Sequence, residues 1–321
     1  MGTRIDVHTH FVPDFYREAL IAAGHEHPDG IAAIPAWDEQ RALDTMDELG
    51  IDTAVLSISS PGVHFGDDVA AAELSRRVND EAARLAAAHP GRFGFFATLP
   101  VPDVPAALVE LDRAMGELGA VGAVLETNHH GQYLGDPGLG VLHAELASRG
   151  GVLFVHPTAP YCGRELALGY PFPMLEFLFE TTRSITNLVV SGALARNPGL
   201  KVIVPHAGAT LPVLANRIDL LLPVLGKPGM PTPPSMKEAL RTLYFDLAGA
   251  PVPELLGALL EVADHGHILY GSDWPFTPTA VCADLAERID TTPLLAGPLR
   301  TAVLSGNAAR LFPNLVAAAR S

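Results

Sequence analysis

Short apolar runs rich in β-branched and aromatic residues recur along the chain, each followed by a longer stretch whose apolar positions repeat with helical spacing. The runs predict strands at Ile5–His8, Ala54–Ser59, Gly94–Leu99, Gly122–Glu126, Val152–His156, Val202–His206, Leu243–Leu247 and Ile268–Gly271. Unbroken apolar runs such as Gly151-Val152-Leu153-Phe154-Val155 suit strands covered on both faces, as in a parallel sheet. The intervening stretches predict helices at Asp38–Leu49, Val69–Ala88, Val104–Leu118, Leu139–Ser148, Phe177–Arg196, Leu211–Val224 and Pro253–Ala263, with another amphipathic helix in the tail Pro298–Ala319. Gly50, Gly119 and Gly150 follow helical runs and sit where a left-handed C-cap belongs. Asp38 and Asp103 stand at N-cap positions.

Eight strand–helix repeats without a break in composition predict an α/β chain folded as one domain over residues 1–321. The expected architecture is a closed (β/α)8 TIM barrel with right-handed crossovers and loop insertions. An open doubly wound sheet is the runner-up. No Gly-x-Gly-x-x-Gly follows the first strand, which removes the main reason to prefer a dinucleotide fold. Gly24–Ala36 and the proline-rich Gly226–Ser235 interrupt the pattern and read as surface loops.

Composition narrows the class. Of the 321 residues 48% are hydrophobic and 18% charged, which fits a chain with a large core. A net charge of −15 and only three lysines, at 201, 227 and 237, disfavour nucleic acid, whose phosphates need concentrated cations. No apolar stretch reaches the ~20 residues that cross a bilayer, so no membrane role is expected. The opening residues lack the apolar core of a signal peptide, and Asp6 breaks the myristoylation pattern; a reducing, cytoplasmic setting follows. Cys162 and Cys282 form no ligand-spaced pair and no disulfide framework.

Candidate chemistry sits at the ends of the apolar runs. His8 and His10 end the first strand with i, i+2 spacing, which aims both imidazoles to one side. The fifth run ends in His156-Pro157, the sixth in His206-Ala207-Gly208, and the eighth runs into Gly271-Ser272-Asp273-Trp274-Pro275. A β/α barrel gathers the C-terminal ends of its strands around one mouth, so these five side chains are expected to converge. Imidazole is the commonest side-chain ligand for a divalent metal, and three or four N/O ligands with an exchangeable position make a catalytic site.

The phrases Ile5-Asp6-Val7-His8-Thr9-His10-Phe11, Phe154-Val155-His156-Pro157, Pro205-His206-Ala207-Gly208 and Gly271-Ser272-Asp273-Trp274-Pro275-Phe276 resemble the amidohydrolase superfamily over nearly the whole chain. Within it the chain looks like the decarboxylase branch of aminocarboxymuconate semialdehyde and salicylate-type decarboxylases. Arg4–Pro13 and Pro61–Asp68 look most like 6-methylsalicylate decarboxylases. The resemblance implies one divalent ion, usually zinc with manganese as the alternative, held by His8, His10, His156 and Asp273, and no organic cofactor. It implies Asp273 and His206 as catalytic groups. It also implies a homodimer in which Arg217 binds the substrate carboxylate across the interface; an exposed arginine paired with Asp219 is the plainer reading. No lysine lies on the fourth strand, so the carboxylated-lysine bridge of two-metal relatives is excluded, and Glu126 there reads as a hydrogen-bond acceptor behind the ligands. Gly24–Ala36 contains no arginine where the semialdehyde enzymes carry one, which argues against a dicarboxylate. His64 with Phe65, and Phe276, are candidates for lining a benzoate pocket; Trp274 is a candidate aromatic wall, and His129 and His130 are loop histidines near the same mouth.

The expected reaction is non-oxidative decarboxylation of an ortho-hydroxybenzoate-type acid, 6-methylsalicylate to m-cresol and carbon dioxide in particular, by a carbon–carbon lyase. A metal-dependent hydrolase of a lactone or amide is the alternative, and a catalytically silent metal-binding barrel the third.

Overall fold

The computed structural model describes residues 3–226 and 235–318. Eight parallel strands form its centre: β1 (Arg4–His10), β2 (Ile51–Ser57), β3 in two pieces (Phe93–Phe95 and Ala97–Thr98), β4 (Gly122–Glu126), β5 (Val152–His156), β6 (Lys201–Val204), β7 (Tyr244–Asp246) and β8 (Ile268–Leu269). Each pairs in parallel with the next in chain order, the break within β3 dividing the ladder into two runs. Parallel bridges Asp6–Tyr270 and Thr9–Trp274 join the last strand to the first. The ring is therefore closed, as the eight repeats require.

Strands β1, β4 and β5 are buried at every residue, which is why β4 and β5 read as apolar runs, while β1 buries Arg4, Asp6, His8 and His10 as well. Inside the ring, Val7, Val55, Phe96, Val124, Phe154, Ile203 and Leu269 pack into one cluster, completed by Leu311 and Phe312 of the tail. A second, larger cluster lies between the strands and the surrounding helices. The caps fall where the residues place them. Asp38 accepts from the Arg41 N–H at 2.8 Å and Asp103 from the Ala106 N–H at 3.2 Å, and Gly50 adopts φ 66°.

Several expectations are corrected. The predicted helix Phe177–Arg196 is two, Glu176–Val190 and Ala193–Arg196, because Gly192 takes a left-handed φ of 76° that ends the first. The tail is not one helix but Pro298–Thr301, a π-turn over Ala302–Gly306, Asn307–Leu311 and, after Pro313 breaks the hydrogen-bond ladder, Pro313–Ala318; Ala319 lies outside the described residues. The sixth strand stops at Val204, before His206. Gly24–Ala36 is not simply a surface loop: Pro28 is buried, and Asp29 reaches inward to accept from the Ala159 N–H at 3.2 Å. Residues 227–234 of the second insert lie outside the described residues.

One buried polar knot ties the helical layer to the barrel. Asn79, on helix Asp68–Ala88, donates to the Thr98 carbonyl at 2.9 Å and to Glu110 at 2.7 Å, while its own oxygen accepts from the Thr98 N–H at 2.8 Å. Asn79→Ala strands the buried Thr98 N–H and removes a donor from its carbonyl, while Glu110 keeps Arg113 at 2.8 Å, so a loss of about 1–3 kcal/mol is expected in urea unfolding; a change below about 0.5 kcal/mol would contradict this.

Candidate active site

Side chains from β1, β5 and the segments after β6 and β8 meet at one end of the barrel. His8, His10, His156 and Asp273 each offer a ligand atom, and these atoms all lie within 4.8 Å of one another. The three histidines are buried, and the Asp273 side chain is 20% exposed. Asp273 follows β8 with a positive φ of 62°, and its N–H donates to the His8 carbonyl at 2.8 Å, so the two ends of the chain lock together here. His206 carries a positive φ of 56°, as does the Ala207 after it at 55°. Strained non-glycine positions of this kind persist where the surroundings over-determine them.

Hydrogen-bond partners define which imidazole nitrogens face the centre. His8 Nδ1 lies 3.0 Å from Asp246 Oδ2, which orients the ring and leaves Nε2 without a hydrogen-bond partner, 3.4 Å from Asp273 Oδ1. Ser57 Oγ donates to the Thr9 carbonyl and so accepts from His10 Nδ1 at 2.9 Å, leaving His10 Nε2 3.2 Å from the same Asp273 oxygen. Two imidazole lone pairs thus converge on a carboxylate oxygen. Acceptors alone repel one another at such distances, and a cation between them resolves the conflict. Three nitrogens and one oxygen donor fit a divalent ion of the zinc or manganese type. His156 completes the set, with Nδ1 3.4 Å from Glu126 and Nε2 3.4 Å from Ser59 Oγ.

The charges around this centre are strongly coupled. Burial works against a proton on His8, but Asp246 and Asp273 outweigh it and push its pKa up to about 10. Burial and the neighbouring imidazoles hold His156 well below the usual histidine range. Burial alone would raise Asp273, yet the imidazoles of His10, His206 and His8 around it hold it well below the usual carboxylate range. In the metal-free protein a proton on His8, held by Asp246 and Asp273, therefore takes the place of a cation. Metal uptake displaces that proton, so apparent affinity rises with pH across the neutral range. Calorimetry in buffers of differing ionisation enthalpy should record close to one proton released per ion; zero release would be contrary.

Over the centre lies a cavity of about 390 Å3, lined by His156, His206, Asp273 and Phe276, with Asp29 and Ile31 from the first insert. His206 Nε2 is 3.9 Å from Asp273 Oδ2, and its backbone N–H donates to Asp246 Oδ1 at 3.1 Å. Asp246 therefore steadies both His8 and His206. The sequence reading missed it because it ends an otherwise apolar strand and adjoins no ligand. Asp29 was missed as well, since it sits in a loop read as surface.

Other candidates fall elsewhere. Phe276 packs edge-on against His10, centroids 5.5 Å apart, and forms a wall of the cavity. Trp274 does not: it is buried and donates to Thr279 Oγ1 at 3.0 Å. His64 and Phe65 line a neighbouring cavity with His129 and His130, not the one over the four ligands. Arg217 is exposed on helix Leu211–Leu225, outside the lining of that cavity. Asp219 is occupied with capping the next helix, accepting from Ser235 Oγ at 2.7 Å and the Met236 N–H at 2.5 Å.

Comparison with known proteins agrees with this geometry. The chain is 37% identical over 316 residues to the 6-methylsalicylic acid decarboxylase of Penicillium expansum, covering 97% of each. It superposes on a crystal structure of an amidohydrolase II with a TM-score of 0.90 and 34% identity, covering 97% of this chain and 99% of that one. It also superposes on a dihydroxybenzoic acid decarboxylase from Polaromonas sp. JS666, bound to manganese and the inhibitor 2-nitroresorcinol, with a TM-score of 0.83 and 26% identity over 98% of this chain and 97% of that one. A family model described as amidohydrolase matches residues 5–313, and the chain belongs to that family.

Proposed function

We propose that the protein is a metal-dependent carboxy-lyase that removes carbon dioxide, without oxidation, from an ortho-hydroxybenzoate-type acid, with 6-methylsalicylate the specific substrate and m-cresol the product. The observation that carries this reading is the cluster of His8, His10, His156 and Asp273 beneath an apolar-walled cavity, in a chain whose relatives are named decarboxylases of such acids. These four residues would hold a divalent ion, zinc for preference and manganese otherwise, which would supply Lewis-acid chemistry beside the bound acid.

The protein's own groups do the rest. Phe276 and Ile31 flank the ring and exclude water from it. His206 holds the hydroxyl. Asp273 is ionised in the free site, so it first takes up a proton from solvent once substrate loosens its contacts with the imidazoles. It then delivers that proton to the ring carbon bearing the carboxylate. The carbon–carbon bond breaks, its electron pair restores the aromatic ring, and carbon dioxide leaves. Asp29 rather than an arginine faces the cavity from the first insert, which suits an acid with a single carboxylate.

Arg217 is assigned a role in trans, within a homodimer. Support comes from the apolar face around it, where Val213, Leu220, Val224 and Leu225 are each at least 66% exposed. No helix among the described residues is long and apolar enough to cross a membrane, and both cysteines are free thiols, in keeping with a cytoplasmic setting. Incubation of metal-loaded protein with 6-methylsalicylate should release m-cresol and carbon dioxide in equal amounts. No turnover of any ortho-hydroxybenzoate, with ring opening of a lactone instead, would favour the hydrolase reading.

A further inference from the structure

Decarboxylation of an acid that arrives as its carboxylate consumes one proton per molecule. The ring carbon gains a hydrogen, and the carboxylate leaves as neutral carbon dioxide. The cavity over the four ligands therefore needs an entry for protons. Among the described residues its lining holds four ionisable side chains, and three of them, His156, His206 and Asp273, belong to the metal cluster or adjoin it. The fourth is Asp29, on the insert after β1. No lysine or arginine lines the cavity among the described residues, and burial pushes the Asp29 pKa up to about 6. A carboxyl in that position exchanges its proton near neutrality, as a proton-transferring group should.

The fold holds Asp29 in place and connects it outward. Its backbone takes a left-handed φ of 54°, Pro28 before it is buried, and a Cβ on Gly30 after it would lie 3.4 Å from Pro171 Cα. The insert is thus seated on the loop that precedes helix Glu176–Val190. Asp29 Oδ1 accepts from the Ala159 N–H at 3.2 Å, and the Ser60 hydroxyl, just past β2, donates to the same carboxyl. Ser60 is buried, and its oxygen lies 2.7 Å from Thr158 Oγ1. Thr158 is partly exposed and lines the neighbouring cavity of about 340 Å3, on the far side of the contact between Glu126 and His156. Thr158, Ser60 and Asp29 form a line of two hydroxyls and a carboxyl from one cavity to the other. A hydroxyl donates and accepts at once, so each member can pass a proton on while receiving the next.

The geometry points to Asp29 as the proton entry of the metal cavity, a carboxyl refilled from the second cavity through Thr158 and Ser60 that hands its proton across the metal cavity, through water, to Asp273. Thr158 takes a proton from water in the second cavity and gives its own to Ser60. Ser60 gives its own to the Asp29 carboxylate, and neutral Asp29 releases a proton toward Asp273 and returns to the carboxylate. One proton enters and one reaches the ring carbon, where the electron pair of the broken carbon–carbon bond is left. The second cavity is on this account a water-filled antechamber.

This inference rests on the decarboxylase reading, and the wild-type assay separates the two. Asp29→Asn keeps an acceptor for the Ala159 N–H and the shape of the insert, but carries no acid proton. Release of m-cresol from 6-methylsalicylate is followed in H2O and in D2O for metal-loaded wild type, Asp29→Asn, Asp29→Glu and Ser60→Ala. The expected result is a kcat about 10²-fold lower in Asp29→Asn, the lower end for a proton-transferring group, with KM unchanged. The solvent isotope effect on kcat should rise in the same variant, because proton entry then limits the rate. Asp29→Glu should restore most of the rate, and Ser60→Ala should lie between wild type and Asp29→Asn. A wild-type kcat in Asp29→Asn, a defect confined to KM, or a fall in kcat without a larger isotope effect overturns the inference while leaving the decarboxylase reading intact. If Asp29→Asn does not fold, Ser60→Ala decides, and a rate and isotope effect equal to wild type overturn the inference. A wild type that releases no m-cresol removes both readings together.

Discussion

Asp273→Ala is expected to lower kcat by about 10⁴-fold or more, the upper end of what a single proton-transfer group contributes. Its carboxylate faces His8 Nε2, His10 Nε2 and His206 Nε2 at 3.4, 3.2 and 3.9 Å. Removing it takes away the oxygen donor of the metal set and the proposed proton carrier in one change. It also takes away the acceptor that Thr277 Oγ1 reaches at 3.3 Å. Asp273→Asn separates these roles, because the amide keeps the shape and one oxygen but cannot carry the acid proton. The amide variant should keep more metal than the alanine variant while turning over no faster. Metal content by plasma emission, measured beside m-cresol release, checks both. A variant that holds a full complement of metal and keeps a tenth of the wild-type rate would remove Asp273 from the mechanism.

The second large effect is expected at Asp246, which touches no substrate. It is fully buried on β7, accepts from His8 with one oxygen, and with the other accepts from the backbone N–H groups of His206 and Ala248 at 3.1 and 3.0 Å. Such a partner orients a ligating imidazole, and its loss typically costs 10–100-fold in metal affinity. Asp246→Ala should fall in that range by competition with a chromogenic chelator. It should also lose about 1–3 kcal/mol of stability in the metal-free form, because His8 Nδ1 and the backbone N–H groups of His206 and Ala248 are left without their buried acceptor. Burial alone would raise the Asp246 pKa, but the charge on His8 wins and holds it down. Its stabilising contribution is therefore present above the ordinary aspartate value near 4 and lost as pH falls through the lower folded value. Asp246→Asn has one acceptor oxygen for two faces and should lie between. Unchanged affinity in both variants would mean that His8 is held by packing alone.

These two residues also show what could be read from the chain. Asp273 was legible because it follows the last strand-like run and three others end in imidazoles; the barrel rule converts that coincidence into proximity. Asp246 has the same position on its own strand but reads as a lone acid after Tyr244 and Phe245. Its partner, His8, lies 238 residues away, and no local pattern reports that pairing. Strands such as β4 and β5 were legible because both of their faces are buried, which keeps the apolar signal continuous. Helix limits were less so: Gly192 looks tolerable inside an amphipathic run until its backbone turns left-handed. The loop Gly24–Ala36 reads as solvent-facing because it is rich in His, Pro and Gly, and only the folded chain shows Asp29 turned inward. The division of the mouth into two cavities had no signal at all, since it depends on where Glu126 and His156 meet.

The seam between β1 and β8 has a consequence for biosynthesis. His10 and Asp273 are 263 residues apart, yet both belong to one centre, and the Asp273 N–H rests on the His8 carbonyl. A nascent chain can lay down seven strands and still lack the residue that seals the ring. Capture of an ion by all four residues must therefore wait until residue 273 has been made, and fragments truncated before it should fail to retain the ion.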